Sequence, residues 1–249
     1  MFNLIKPGHV LRFTTCPSTI VSPAGALNPT QNDNTPETAW TTTSNLGLVQ
    51  CLSHPSGNIG EIAAAVATRL RATPGSAART ASYSAPGRLL TASNRPVGSE
   101  TCGFVGYVDG RSNYIQSAQT VFSKDFSGCL MVAYVSGGQR RVAHVAASAV
   151  PTMNCKQAFL TTIQGNGAVL TGWFRPFVSA LHSGRKANAF AVVGQYLGNN
   201  INNLTTFGVV TAGNQAYSID AFKPAGVAGN DWVVTDITPH VLSASWVAP

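Results

Sequence analysis

Cys129 and His144 are a nucleophile and a base joined by one stretch of β-prone sequence. A neutral imidazole takes the thiol proton, the thiolate attacks an amide or ester carbonyl, and the imidazolium then protonates the leaving amine. The pair therefore suits acyl transfer, provided that the two side chains share a face. Leu130 to Val135 is an apolar run, Ser136-Gly137-Gly138 is a turn signal, and Arg141 to Ala147 reads as the return strand. A two-residue loop at Ser136-Gly137 puts His144 directly opposite Cys129. A loop at Gly137-Gly138 puts Ala146 there instead, with His144 opposite Met131. Either register leaves Cys129 and His144 on one face, because side chains alternate with period two and paired residues point the same way. A loop with an odd residue count would separate them.

The residues before the cysteine extend the site. Gly128 has no Cβ, so a substrate carbonyl can approach the backbone at Ser127 and Gly128, where N–H groups entering the strand stabilise an oxyanion. The competing reading is a buried strand cysteine and a half-exposed strand histidine with no shared chemistry. The connection Ser123-Lys124-Asp125-Phe126-Ser127-Gly128 falls between two expected hairpins and holds the rest of the site, since reactive groups favour loops carried by a rigid sheet.

The elements that position this loop are mostly strands. A chain of 249 residues can bury one substantial core, and a single domain over 1–249 is expected. Hydrophobic residues at 44% with 10% charged exclude a disordered tail or coiled coil, and 24 Gly with 14 Pro imply many turns. Residues 14–45, with Pro17, Pro23, Pro29 and Pro36, read as an extended or loop-rich segment. Leu46 to Leu52 is a short strand. Asn58 caps a helix, with Glu61 closing a capping box, Ile59, Ile62, Ala63, Val66 and Leu70 on one face, and Pro74-Gly75 beyond its end. Residues 80–100 read as loop, through Ala85-Pro86-Gly87 and Asn94-Arg95-Pro96. Cys102 to Val108 and Tyr114 to Phe122 read as a hairpin about Asp109-Gly110. Asn154 to Ile163 forms a helix with Cys155, Ala158, Phe159 and Thr162 on one side. Further strands fall at Ala168 to Phe174, Ala187 to Leu197, Thr205 to Thr211, Ala216 to Phe222 and Trp232 to Ile237. Many short strands without βαβ alternation predict an α+β protein: a β-sandwich of mostly antiparallel strands with flanking helices.

Composition also narrows the partners. The net charge of +7 favours an acidic surface, but the Lys and Arg residues are scattered rather than striped with aromatics, so no nucleic acid is expected. No apolar run approaches the roughly 20 residues of a membrane span. Met1 to His9 lacks a basic start followed by an apolar core, so no ordinary signal peptide is expected. Five cysteines without Cys-x-x-Cys spacing read as mostly free thiols in a reducing compartment. His9, His54, His182 and His240 make no metal spacing and read as exposed loop residues. Gly165-Asn166-Gly167 lacks the context of a phosphate loop. No metal and no cofactor are expected, and the chain reads as a monomer.

Phe126-Ser127-Gly128-Cys129 resembles the Leu-Ser-Gly-Cys motif of bacterial glutamine deamidase toxins, the group of the cytotoxic necrotizing factors and Burkholderia lethal factor. Phe126 stands where the family has Leu. The order of nucleophile then histidine matches, as does the 15-residue step from Cys129 to His144. Related chemoreceptor deamidases carry a Thr six residues before the cysteine, and Ser123 occupies that position here. The resemblance implies hydrolysis of a protein glutamine to glutamate, with Cys129 attacking the carboxamide and His144 acting as base and then acid. Ser123 or a main-chain carbonyl would orient the imidazole. It further implies a toxin or effector, delivered from a bacterium to the host cytosol, whose substrate is a host protein such as a Rho-type GTPase or a translation factor.

Overall fold

A computed structural model of the chain describes residues 1–13, 38–39, 46–53, 95–107, 112–147, 155–185, 187, 201–224 and 231–249. In chain order its strands are β1 (Val10–Phe13), β2 (Thr38–Ala39), β3 (Leu46–Ser53), β4 (Arg95–Phe104), β5 (Ser112–Gln116), β6 (Thr120–Ser123), β7 (Leu130–Ser136), β8 (Gln139–Val145), β9 (Val169–Phe174), β10 (Ile201–Val210), β11 (Ala216–Pro224) and β12 (Asp231–His240). Helix α1 (Cys155–Gly165) precedes β9, and a 3-10 turn, Phe2–Leu4, precedes β1. The β-rich α+β character matches the reading of the sequence.

The sandwich does not. Seven strands close a barrel in the order β1-β12-β11-β10-β6-β4-β3, and a separate five-stranded sheet runs β2-β5-β8-β7-β9. The physical reason is β1, which the sequence reading passed over. Its four residues pair antiparallel with both β3 and β12, Leu11 standing opposite Cys51 and Trp232, so that neither neighbour is left with a free edge.

Alternation along these strands divides the side chains between two layers. Phe104, Phe122, Phe207, Leu11, Phe13 and Trp232 point into the barrel, where Phe13 and Phe122 meet edge-on at 5.2 Å and Phe207 and Trp232 at 5.1 Å. Val121 and Val210, next in sequence to inward residues, point outward onto Met131, Ala133, Val142 and Phe174 of the sheet. The other face of the sheet, with Leu130, Val132 and Tyr134, takes α1 through Phe159, Leu160 and Ile163. Helix α1 thus forms where expected, but Ala158 is exposed and Leu160 and Ile163 replace it in the buried stripe.

Two local expectations are corrected. Cys102 to Val108 and Tyr114 to Phe122 do not form a hairpin: the second run splits at 117–119, β5 joining β8 in the sheet and β6 lying parallel to β4 in the barrel. Ser117 makes the break, its Oγ accepting the Gln119 N–H at 3.0 Å, while Arg140 Nη1 donates to the carbonyls of Ser117 and Gln119. Asn94-Arg95-Pro96 is not all loop either, since β4 begins at Arg95. Asp109-Gly110, the helix expected from Asn58, and most of 14–45 and 187–197 lie outside the described residues.

Candidate functional site

The hairpin β7–β8 turns at Gly137-Gly138, whose φ values of 56° and 73° are left-handed and open to glycine without strain. This is the even loop, in the second of the two registers. Met131 faces His144, and Leu130 faces Val145. Continuing the ladder places Cys129 opposite Ala146, so that Cys129 and His144 are diagonal neighbours on one face, about 7–8 Å apart by ordinary strand spacing. That face looks toward the barrel.

Ser123 reaches the histidine from the barrel. It ends β6, points outward, and lies 2.7 Å from His144 Nδ1. Its hydroxyl proton is committed to the Val105 carbonyl at 2.6 Å. With that proton spent, Ser123 Oγ can only accept from Nδ1–H, which fixes the tautomer and leaves Nε2 with a bare lone pair. Nε2 has no hydrogen-bond partner. Burial pushes the imidazole down to a pKa of about 3, so it is neutral at physiological pH. The ring is held flat against Phe126, with centroids 4.2 Å apart and planes 4° apart, and half-exposed Tyr107 lies on it at 5.3 Å. Asp125, in the left-handed region at φ 68°, reverses the chain between Ser123 and Phe126 so that both reach the same imidazole.

Cys129 is 2% exposed and accepts the Ala147 N–H at its sulfur, at 3.3 Å. Burial pushes the thiol up. The N–H groups of Ala147, Ser127 and Gly128 and the charge of Lys156 oppose this, each favouring the thiolate. The thiol is therefore turned toward backbone donors, not toward Nε2. Gly128 is half-buried, and a Cβ there would meet only Ala147 Cβ, at 3.4 Å. The fold itself leaves room for a methyl group, so any need for glycine at 128 comes from what approaches it.

All five residues singled out from sequence thus come together: Cys129, His144, Ser123, Ser127 and Gly128 lie around one junction of sheet and barrel. Sequence reasoning missed Tyr107, the Val105 carbonyl and the Ala147 N–H, none of which carries a motif. It also misplaced two histidines. His182 is 1% exposed and donates through Nε2 to Ser218 Oγ at 3.2 Å, since its Nδ1 accepts the Val178 N–H at 2.9 Å. Ser218 donates in turn to His240 Nε2 at 2.5 Å, and burial lowers His240 to about 4. The barrel thus carries a second serine–histidine contact, because Ser218 sits two strands from Ser123 in the same row. His9 lies near Cys51, with Nδ1 and Sγ 3.4 Å apart. Cys51, Cys102, Cys129 and Cys155 are free thiols. Among the described residues no group of three or more His, Cys, Asp or Glu is placed to hold a metal ion, and no helix is long and apolar enough to cross a membrane.

No family model, curated protein or solved structure matches this chain.

Proposed function

We propose that the chain is a protein glutamine deamidase in which Cys129 is the nucleophile, His144 the general base and acid, and Ser123 the positioning residue. The observation that carries this reading is the directed chain from His144 Nδ1–H to Ser123 Oγ and on to the Val105 carbonyl, which leaves Nε2 bare on the face that bears the thiol. What sets this nitrogen apart from other unpartnered buried atoms such as Trp232 Nε1 is the Ser123 contact that fixes it as an acceptor.

In the reaction, Cys129 turns from the Ala147 N–H and gives its proton to Nε2. The thiolate adds to the carboxamide carbon, and the N–H groups near Ser127 and Gly128 take the charge that develops on oxygen. The imidazolium protonates the leaving nitrogen, ammonia departs, and a thioester remains. Water, deprotonated by Nε2, hydrolyses the thioester to glutamate and restores the thiol. The resemblance of Phe126-Ser127-Gly128-Cys129 to the deamidase toxins supports a glutamine in a host regulatory protein, a Rho-type GTPase or a translation factor, and a bacterial effector delivered to the host cytosol.

Incubation of the protein, and of its Cys129→Ser variant, with host-cell lysate tests this by peptide mass spectrometry. The reading expects a mass gain of about one unit at a glutamine, seen only with Cys129 present. Peptide cleavage would indicate a protease, amine incorporation a transglutaminase, and no Cys129-dependent change a binding module.

A further inference from the structure

We infer that Gly208, a barrel residue with no side chain to offer, is a positioning residue for the candidate site, acting on the His144 imidazole through Phe126 and Met131. The inference rests on the deamidase reading. Gly208 on β10 lies opposite Ser123 on β6 and opposite Ser218 on β11, so the three form one row on the outer face of the barrel. The serines at its two ends each bond a histidine. The glycine between them is a gap, and side chains from beyond the barrel fill it.

A Cβ at 208 would stand 2.8 Å from Phe126 Cε2, 2.9 Å from Met131 Sδ and 2.7 Å from Pro176 Cγ. Ordinary carbon contacts lie near 3.5–4.0 Å, roughly an ångström longer. Gly208 is not among the residues of positive φ, so what the position requires is space rather than backbone freedom. The first two of the three side chains are the imidazole's own neighbours. Phe126 lies parallel to it at 4.2 Å, and Met131 is its partner across β7 and β8. Phe126 is therefore packed between the Gly208 backbone and His144. A methyl group at 208 would drive the ring toward the imidazole, tilt it, and lengthen its bond to Ser123, which is anchored on the neighbouring strand and cannot follow. Ser123 sets the tautomer of His144, and Gly208 sets the height and plane of the ring.

The test compares Gly208→Ala with Gly172→Ala, where a Cβ would also be crowded, 2.7 Å from Leu242 Cβ, and where φ is 151°, on a strand that pairs with β7 rather than with His144's own β8. Both variants should melt lower. Gly208→Ala alone should lower kcat about tenfold with little change in KM. It alone should also move the acid limb of the pH profile and shift the His144 ring resonances in 15N NMR. In a Phe126→Leu background, which removes the ring that would pass the push to His144 while the Pro176 and Met131 contacts stay, adding Gly208→Ala should cost less than about twofold in kcat. This double variant also serves if Gly208→Ala does not fold. Equal melting losses with kcat, the pH profile and the His144 resonances unchanged in Gly208→Ala would overturn the inference. So would a full, additive loss in the Phe126→Leu background. The NMR readout needs no turnover, so absence of Cys129-dependent deamidation in the wild type would sink the enzymatic reading and leave the hold of Gly208 on His144 still measurable.

Discussion

Among the described residues two cysteine–histidine neighbourhoods stand out, and the tighter one is the less suited to chemistry. In the barrel, Cys51 Sγ lies 3.4 Å from His9 Nδ1, a nitrogen that also accepts the Lys6 N–H at 3.3 Å and is therefore a base facing a thiol. Yet burial pushes Cys51 up to about 12 against the opposing charge of the Met1 amino terminus, and among the described residues its core neighbours are Leu11, Trp232 and other barrel side chains with no backbone N–H turned to the sulfur. At the sheet–barrel junction Cys129 makes no bond to His144. Its sulfur instead accepts a backbone N–H, more N–H groups and Lys156 favour its charged form, and His144 is fixed by Ser123 with Nε2 bare. What separates the regions is the support around each pair and not the distance within it. A thiol becomes a nucleophile when something stabilises its thiolate and something orients its base.

The largest contrast should come from removing each pair in turn. Cys129→Ser and His144→Ala should each lower the initial rate of glutamine conversion about a thousandfold or more, since they remove the nucleophile and the base. Cys51→Ser and His9→Ala should hold that rate within about twofold. A comparable loss on removing Cys51 would erase the distinction.

Ser123→Ala should come next. It strands the Val105 carbonyl and the Nδ1 proton in a buried site, at about 1–3 kcal/mol in urea unfolding. It should lower kcat about 10- to 100-fold, the usual cost of losing a group that orients a functional imidazole. Ser123→Thr, which keeps the hydroxyl, should recover most of both. Gly128→Ala isolates the approach to the site: its melting temperature should stay near wild type, because only Ala147 Cβ is met, while kcat/KM falls about tenfold.

Acid should also weaken the fold. His144 titrates near 3 and His240 near 4 in the folded protein, both below the ordinary 6.5. Between those values and 6.5 the unfolded chain binds more protons than the native one. Stability is therefore full above about pH 6.5 and is lost as pH falls through that window. His240→Gln should flatten part of this slope in urea titrations from pH 7.5 to 4. Over the alkaline range, peptide mapping after mild alkylation should find Cys129 modified before Cys51 and Cys102, both of which burial pushes up to about 12.

Much of the site was legible because it is local. Alternation and an even glycine turn place Cys129 and His144 on one face in either register, and the short step from Ser123 to Cys129 keeps the hydroxyl within the same turn of chain. Sequence left the choice between registers open, and Gly137-Gly138 decides it through two left-handed residues. The barrel was not legible. Its closure depends on Val10–Phe13 pairing with strands far away in sequence, and four residues with one polar side chain carry little periodicity. The hairpin expected at Asp109-Gly110 failed because Tyr114 to Phe122 reads as one return strand, whereas the Ser117 turn divides it between two sheets. His182 and His240 looked like loop residues because Ser218, the partner that draws them in, is distant from both in the chain. Gly208 gave no signal, since a strand glycine shows its purpose only once Phe126 is packed against it.

The most direct measurement of the central claim is deamidation of the target glutamine in 18O water, followed by mass spectrometry with wild type and Cys129→Ser. A thioester at Cys129 that water hydrolyses puts one solvent oxygen into the new carboxylate, so the account predicts a gain of about three mass units with wild type and none with the variant. An unlabelled product, or labelled product formed equally well by Cys129→Ser, would contradict it.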